Sequence, residues 1–324
     1  MLVLLTATAL AVSAADEGAG LPSLVGLTPS LRAQLEPALK ARRLEHAETI
    51  LVEAAGKAPT NTQILKLLGG IFFLDRKYLN CSVALARADK VQPLDNRSRF
   101  LLAMAFNSLE RADWARPELD KLAKADPQNP EYGYWLARLD FAAQNYSTAA
   151  EKLEEVVRVS PGFVRAWEAL ALSNEALGRT EEAQKNFLEA VRRNREQKTP
   201  SPWPLVDFGT MLLKAGHASE AEVYLREALR YQPGFAQAHF RLGAALEQQG
   251  RDVEAIAAYQ ESARLDSNYA EPLAGLVKLY ARRGRRQDAE EASAEFQARK
   301  SRSKPAQAGA GPVWNESEEM KPRY

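Results

Sequence analysis

The chain has 324 residues, with 43 lysines and arginines against 42 aspartates and glutamates, a net charge of +1. Such a balance provides no global field toward nucleic acid or an anionic membrane. A single cysteine, Cys81, excludes an intrachain disulfide framework and leaves the redox compartment open.

The N-terminus is a nearly unbroken apolar run from Leu2 to Val12, followed by Ser13, Ala14, Ala15 and then Asp16. About eleven apolar residues are too few to cross a bilayer but suit the core of a secretory signal peptide. The small residues around Ser13–Ala15 suit signal peptidase, while only the Met1 amino group supplies positive charge ahead of the run. The expectation is a signal peptide over residues 1–15, a linker over 16–27 and export to a periplasm or the cell exterior. An apolar N-terminal helix in a cytoplasmic protein is the alternative.

From Thr28 onward a 34-residue beat takes over. Units start near Thr28, Thr62, Asn96, Pro130, Val164, Pro202, Ala236 and Ala270, with one four-residue slip inside 194–201. Position 20 of each unit is small: Ala47, Cys81, Ala115, Ala149, Ala183, Ala221, Ala255 and Ala289. Position 24 is large and apolar (Leu51, Leu85, Leu119, Leu153, Phe187, Leu225, Tyr259), and position 8 is mostly glycine or alanine. Apolar residues three or four apart predict two helices per unit. Glycine or a polar residue at position 15 (Gly178, Gly216, Gly250, Gly284) predicts the turn between them. Proline at position 32, as in Pro59, Pro93, Pro127, Pro161 and Pro233, ends the second helix. The insertion near Pro200–Pro204 predicts a local change in pitch and no domain break. After about residue 300 the beat is lost, and a disordered tail over 300–324, carrying Trp314, is expected.

These units resemble tetratricopeptide repeats, the fifth most closely, with Trp167, Leu170, Ala171, Gly178, Ala183, Phe187 and Ala190 at the motif's positions. The resemblance covers 28–299 and implies an all-α fold: a right-handed superhelical solenoid of about eight helix-turn-helix repeats, each packing chiefly on its neighbours.

No constellation for chemistry emerges. His46, His217 and His239 fall in different units at different positions, and neither a phosphate loop nor a nucleophile elbow is present. No enzyme activity, cofactor or metal is expected. The cluster Arg282, Arg283, Arg285 and Arg286 reads as a solvated helix end, without the aromatic interleaving of a nucleic-acid patch.

In the resembled family the first helix of each pair lines a concave wall, with positions 2, 5, 9 and 12 facing inward. Here those positions give Lys66, Phe73, Phe100, Met104, Tyr134, Arg138, Phe141, Arg165, Glu168, Leu172, Trp203 and Phe240 as candidate groove residues. Aromatic and arginine anchors in concave sites concentrate binding energy, although any of these rings could instead pack between neighbouring helices. The lysine–asparagine–arginine clamp by which some relatives grip a C-terminal carboxylate is missing: Lys66 is followed by Gly70, and the next unit offers Phe100, Leu101 and Met104. The sequence therefore reads as a non-enzymatic scaffold that holds a peptide or protein segment. A cytoplasmic assembly or regulatory protein is the alternative and an RNA-binding repeat protein the less favoured one. No membrane span and no nucleic-acid partner are expected, and the oligomeric state is left open.

Overall fold

A computed structural model describes Leu24 and residues 26–303. The expected signal peptide, most of the linker and the tail with Trp314 lie outside the described residues. Within them are sixteen α-helices and no strand.

The helices group into two compact units, divided between Ala142 and Ala143. Unit one holds α1 (Pro29–Lys40), α2 (Leu44–Lys57), α3 (Thr62–Leu74), α4 (Tyr78–Val91), α5 (Asn96–Ser108), α6 (Ala112–Ala125) and α7 (Pro130–Ala142). Unit two holds α8 (Tyr146–Val159), α9 (Val164–Ala176), α10 (Thr180–Arg195), α11 (Trp203–Lys214), α12 (Ala218–Tyr231), α13 (Ala236–Gln248), α14 (Asp252–Leu265), α15 (Glu271–Arg282) and α16 (Arg286–Ser303). Where both helices of a hairpin lie in one unit they pack on each other, and each second helix packs on the first helix of the next repeat in its unit.

The hairpin turn depends on one backbone conformation. Position 15 has positive φ in all eight repeats: Arg42, Arg76, Glu110 and Gln144, then Gly178, Gly216, Gly250 and Gly284. A left-handed residue lets the next amide reach back five residues and satisfy a free helical carbonyl. The amide of Arg179 bonds to the Asn174 carbonyl at 2.9 Å, that of Lys77 to the Phe72 carbonyl at 2.8 Å, and that of His217 to the Leu212 carbonyl at 2.9 Å.

The close approach inferred from the alanine beat is present. Ala47, Cys81, Ala115, Ala149, Ala183, Ala221 and Ala255 are completely buried. Burial pushes the Cys81 thiol well above its ordinary pKa, so at neutral pH it packs as a small apolar side chain. Positions 8 and 24 meet across the hairpin. A Cβ added at Gly69 would come within 2.6 Å of Leu85, and one added at Gly209 within 3.0 Å of Leu225. Tyr259 is larger and is held between two glycines: a Cβ on either Gly243 or Gly275 would come within 2.6 Å of its ring.

The insertion at 194–201 lies inside unit two. Asn194, buried at the end of α10, closes it by donating to the Ser201 carbonyl at 2.7 Å and accepting from the Ser201 amide at 2.9 Å. At the other end of the unit, Arg299 of α16 is buried. Its guanidinium donates to the carbonyls of Ala263, Asp266 and Tyr269 at 2.9, 2.9 and 3.2 Å.

Candidate functional site

The candidate residues all lie on first helices, and the structure sorts them by exposure. In unit one, Phe73, Met104 and Tyr134 are buried, Tyr134 to 3% of its free area. Phe73 meets Tyr78 edge-on, so it belongs to the contact between α3 and α4. Lys66, Phe100, Arg138 and Phe141 are half-buried. Lys66 is neutralised by Asp95 at 2.9 Å. Asp95 also caps α5, accepting from the Ser98 amide at 2.9 Å. Phe100 leans on Tyr132 of the following first helix, ring centres 5.7 Å apart.

Arg138 has a different environment. Its guanidinium lies over the Trp135 ring at 5.2 Å and beside that of Tyr134 at 5.9 Å, and it donates to the Tyr134 hydroxyl at 3.4 Å. No carboxylate among the described residues comes within ion-pair distance of it. Asp140, two residues on, is bound to Arg116 at 2.6 Å. Trp135 is 2% exposed, and its Nε1–H finds no acceptor among the described residues. The family's inward-facing pattern misses Trp135, because position 6 lies outside it. The i, i+3 spacing of Trp135 and Arg138 is the signal that points to the pair.

Unit two carries Arg165, Glu168, Leu172, Trp203 and Phe240. Arg165 lies over the Phe163 ring at 5.1 Å, and Leu172 packs half-buried against the unit's core. Trp203 meets Phe235 edge-on at 4.8 Å. Phe240 sits between Tyr259 and Tyr269, at 5.7 and 5.3 Å, with the Arg241 guanidinium over its ring at 5.1 Å. Glu168 is 9% exposed and lies beside Asp207 of α11. Burial pushes the Asp207 carboxyl up, against the lowering pull of the nearby Arg241 charge. Two further acids on this face are paired: Glu175 with Lys214 at 2.7 Å and Glu247 with Lys278 at 2.6 Å. The Tyr259 hydroxyl also donates to Glu247 at 2.9 Å.

What the two faces offer is recognition surface: half-buried rings and fixed charges on rigid helices. Among the described residues no cluster of three or more histidine, cysteine or acidic side chains is placed to hold a metal ion. No helix there is long and apolar enough to cross a membrane.

Helix pairs of this length, joined by left-handed turns and stacked through a small-residue seam, define a helical-repeat protein. The chain belongs to the tetratricopeptide repeat family: the family model matches residues 83–130, 134–198 and 206–270, over half of the chain. The TPR repeat-containing protein YpiA of Bacillus subtilis is 30% identical over 138 residues. That match takes in 42% of this chain and 31% of YpiA, so the chain spans about a third of this relative's length. Among solved structures, a tetratricopeptide repeat protein from Parabacteroides merdae is similar at a TM-score of 0.63 with 18% identity, over 77% of this chain and 97% of that one. Yeast Tom70 is similar at a TM-score of 0.65 with 16% identity, over 89% of this chain and 64% of that one. The fold class is thus that of the all-α tetratricopeptide solenoids, a fold of protein-interaction scaffolds that are generally non-enzymatic and usually bind proteins or peptides.

Proposed function

We propose that the chain is a non-enzymatic scaffold that holds a segment of another protein along the face of its first helices. The observation that carries this reading is the group of large rings left half-buried there: Phe100 and Phe141 in unit one, Trp203 and Phe240 in unit two. An isolated half-exposed ring is ordinary, but two on the first helices of each unit provide anchors that a second chain can cover. Each of these faces pairs most of its own charges, which favours a peptide with apolar side chains over a polyanion.

The test is site-specific photo-crosslinking in the native cell, with a photoreactive phenylalanine analogue at Phe100, Trp203 or Phe240 and, as the control, at the exposed Leu188 of α10. A partner captured from the three face positions and not from Leu188 is the expected result. Equal capture everywhere, or from Leu188 alone, places the interaction elsewhere. The apolar Leu2–Val12 run, with small residues after it, supports export as part of the same proposal. N-terminal sequencing of the mature protein decides it, and a chain beginning at Met1 in the cytosol ends that part of the reading.

A further inference from the structure

We infer that Arg138, stacked over Trp135 and beside Tyr134, is the anchor for an acidic side chain, so that the segment held by unit one carries an aspartate or glutamate at a fixed place. This rests on the scaffold reading above and adds the chemistry of the partner.

Three other cations of unit one are occupied. Lys66 is taken by Asp95, Arg99 by Asp89 and Glu118, and Arg116 by Asp140. Arg138 is half-buried, and the only hydrogen bond it makes among the described residues is the long one to a neutral phenol. A guanidinium is weakly hydrated and planar, and it binds a carboxylate through two parallel N–H···O bonds. Packing against the Trp135 ring already limits where this one can point, so little further freedom is lost when a carboxylate arrives. A fixed positive charge at the partly dry edge of an aromatic surface is complementary to an anion and unfavourable for a cation.

The neighbouring repeat supplies the second contact. Phe100 is half-buried on α5, with Tyr132 beside it on α7. First helices that touch lie about 8–10 Å apart, and Phe100 and Arg138 are also offset along them. An extended chain covers such a span in roughly three to four residues at about 3.3–3.6 Å each. The expected motif is therefore an acidic residue with an apolar residue three or four places away.

The probe is a phage-displayed library of random dodecapeptides, selected on the full chain and in parallel on Arg138→Gln and Arg138→Glu, each variant checked by circular dichroism for an unchanged unfolding midpoint. The expected result has three parts. The native chain enriches aspartate or glutamate at one place relative to an apolar residue. Arg138→Gln loses that enrichment while keeping the apolar one, and Arg138→Glu enriches lysine or arginine instead. A synthetic copy of a selected peptide should then lose about tenfold in affinity when its acid becomes the amide, on the native chain only. Peptides selected with an apolar preference and no acid, or with an acid that Arg138→Gln still enriches, overturn the inference and leave the scaffold reading standing. No enrichment of any kind on the native chain sinks the scaffold reading in unit one and the inference with it. Should both variants fail to fold, an amide-for-acid swap in a native-selected peptide that leaves affinity unchanged overturns the inference by itself.

Discussion

The first four hairpins and the last four close with the same backbone but different residues. In the first four, the left-handed residue is Arg42, Arg76, Glu110 or Gln144, with φ of 51° to 63°. In the last four it is glycine, with φ of 71° to 82°. Only glycine adopts that region without a Cβ penalty. The helix starts show the opposite bias. First helices of the early repeats are capped by Thr28, Asn61, Asp95 and Asn129, each accepting a backbone amide. Those of the later repeats begin after Phe163, Pro202, Phe235 or Ala270, none of which makes a side-chain cap. Instead Trp167 donates its Nε1–H to the Pro161 carbonyl at 2.9 Å, and His239 Nε2 lies 2.9 Å from the Pro233 carbonyl, so His239 must carry its proton on Nε2. The repeat tolerates such exchange because its stability is a sum of local and nearest-neighbour contributions, and a loss at one junction can be offset at another.

The largest test of this comparison concerns the ties between repeats. Arg99 joins three elements of unit one, reaching Asp89 of α4 at 2.9 Å and Glu118 of α6 at 2.5 Å, with its side chain only 11% exposed. Removing Arg99 leaves Asp89 with the Leu94 amide and Glu118 with the exposed Lys121 as remaining partners, and Arg99→Ala is expected to cost about 3 kcal/mol. The corresponding tie in unit two is Arg195 to Glu227, at 2.8 and 2.6 Å, where Arg195 is half-exposed. Arg195→Ala should cost less, about 1–2 kcal/mol, because water can replace part of what is lost. Urea unfolding combined with hydrogen exchange resolved by helix measures both. Equal losses would show that burial does not distinguish the two ties.

Next comes the seam. Gly243→Ala is expected to destabilise unit two by about 1–3 kcal/mol through overpacking against Tyr259. The third repeat carries alanine at this position opposite leucine, Ala103 and Leu119, both completely buried. Tyr259→Leu in the same chain should therefore recover much of the loss, although it also gives up the hydroxyl's bond to Glu247. A double variant no better than the single would mean that the glycine serves something other than the tyrosine ring.

Repeat length, helix pairing and the small-residue seam were legible in the sequence because one geometric demand, close helix approach, recurs at a fixed interval and leaves the same residue size each time. The position 15 turn was only half legible. Glycine announces positive φ, but Arg76 and Glu110 adopt it under tertiary constraint, and nothing about arginine or glutamate signals that. The face of the first helices was legible as a set of positions and not as a set of environments. Tyr134 and Phe100 occupy the same position in successive repeats, yet one is buried and the other half-buried. Exposure at position 5 depends on the size of side chains one repeat away, which a period within the chain does not report. Charge pairing was illegible for the same reason: Lys66 and Arg138 look alike in sequence, and only the placement of Asp95 separates them.

A smaller effect is expected from exchanging turn residues between the two halves. Gly216 has φ of 82°, and a Cβ there would meet no atom within 4 Å, so strain from Gly216→Ala would be conformational alone. The expected loss is about 1 kcal/mol. Glu110→Gly in an early hairpin should run the other way. Relief of about 1–2 kcal/mol of left-handed strain is partly offset by about 0.5–1 kcal/mol of extra freedom in the unfolded chain. A net gain of about 0.5 kcal/mol is expected from the urea midpoint. If Glu110→Gly proved destabilising, its side chain would be contributing something that the turn geometry does not explain.

The smallest expected effect separates the halves by pH. On the second helices of unit two, acids precede arginines by three or four residues, as in Glu155–Arg158, Glu189–Arg192 and Glu261–Arg264. Glu189 is the strongest case. Hydrogen bonding from Arg192, then from Arg193 at 2.7 Å, outweighs partial burial and lowers its carboxyl from the ordinary 4.5 to about 2. A carboxyl depressed on folding contributes stability above its unfolded pKa and loses it as pH falls through the folded value. The contribution of Glu189 is therefore complete above about pH 4.5 and disappears between there and pH 2. Its stabilising effect is modest because the Arg192 side chain is more than half exposed, and water and salt screen the pair. A carbon-detected NMR titration should place the Glu189 midpoint near 2 in the native chain and near its ordinary value in the Arg192→Gln, Arg193→Gln double variant. A native midpoint already at the ordinary carboxylate value would show these surface pairs to be too loosely held in solution to contribute to either half.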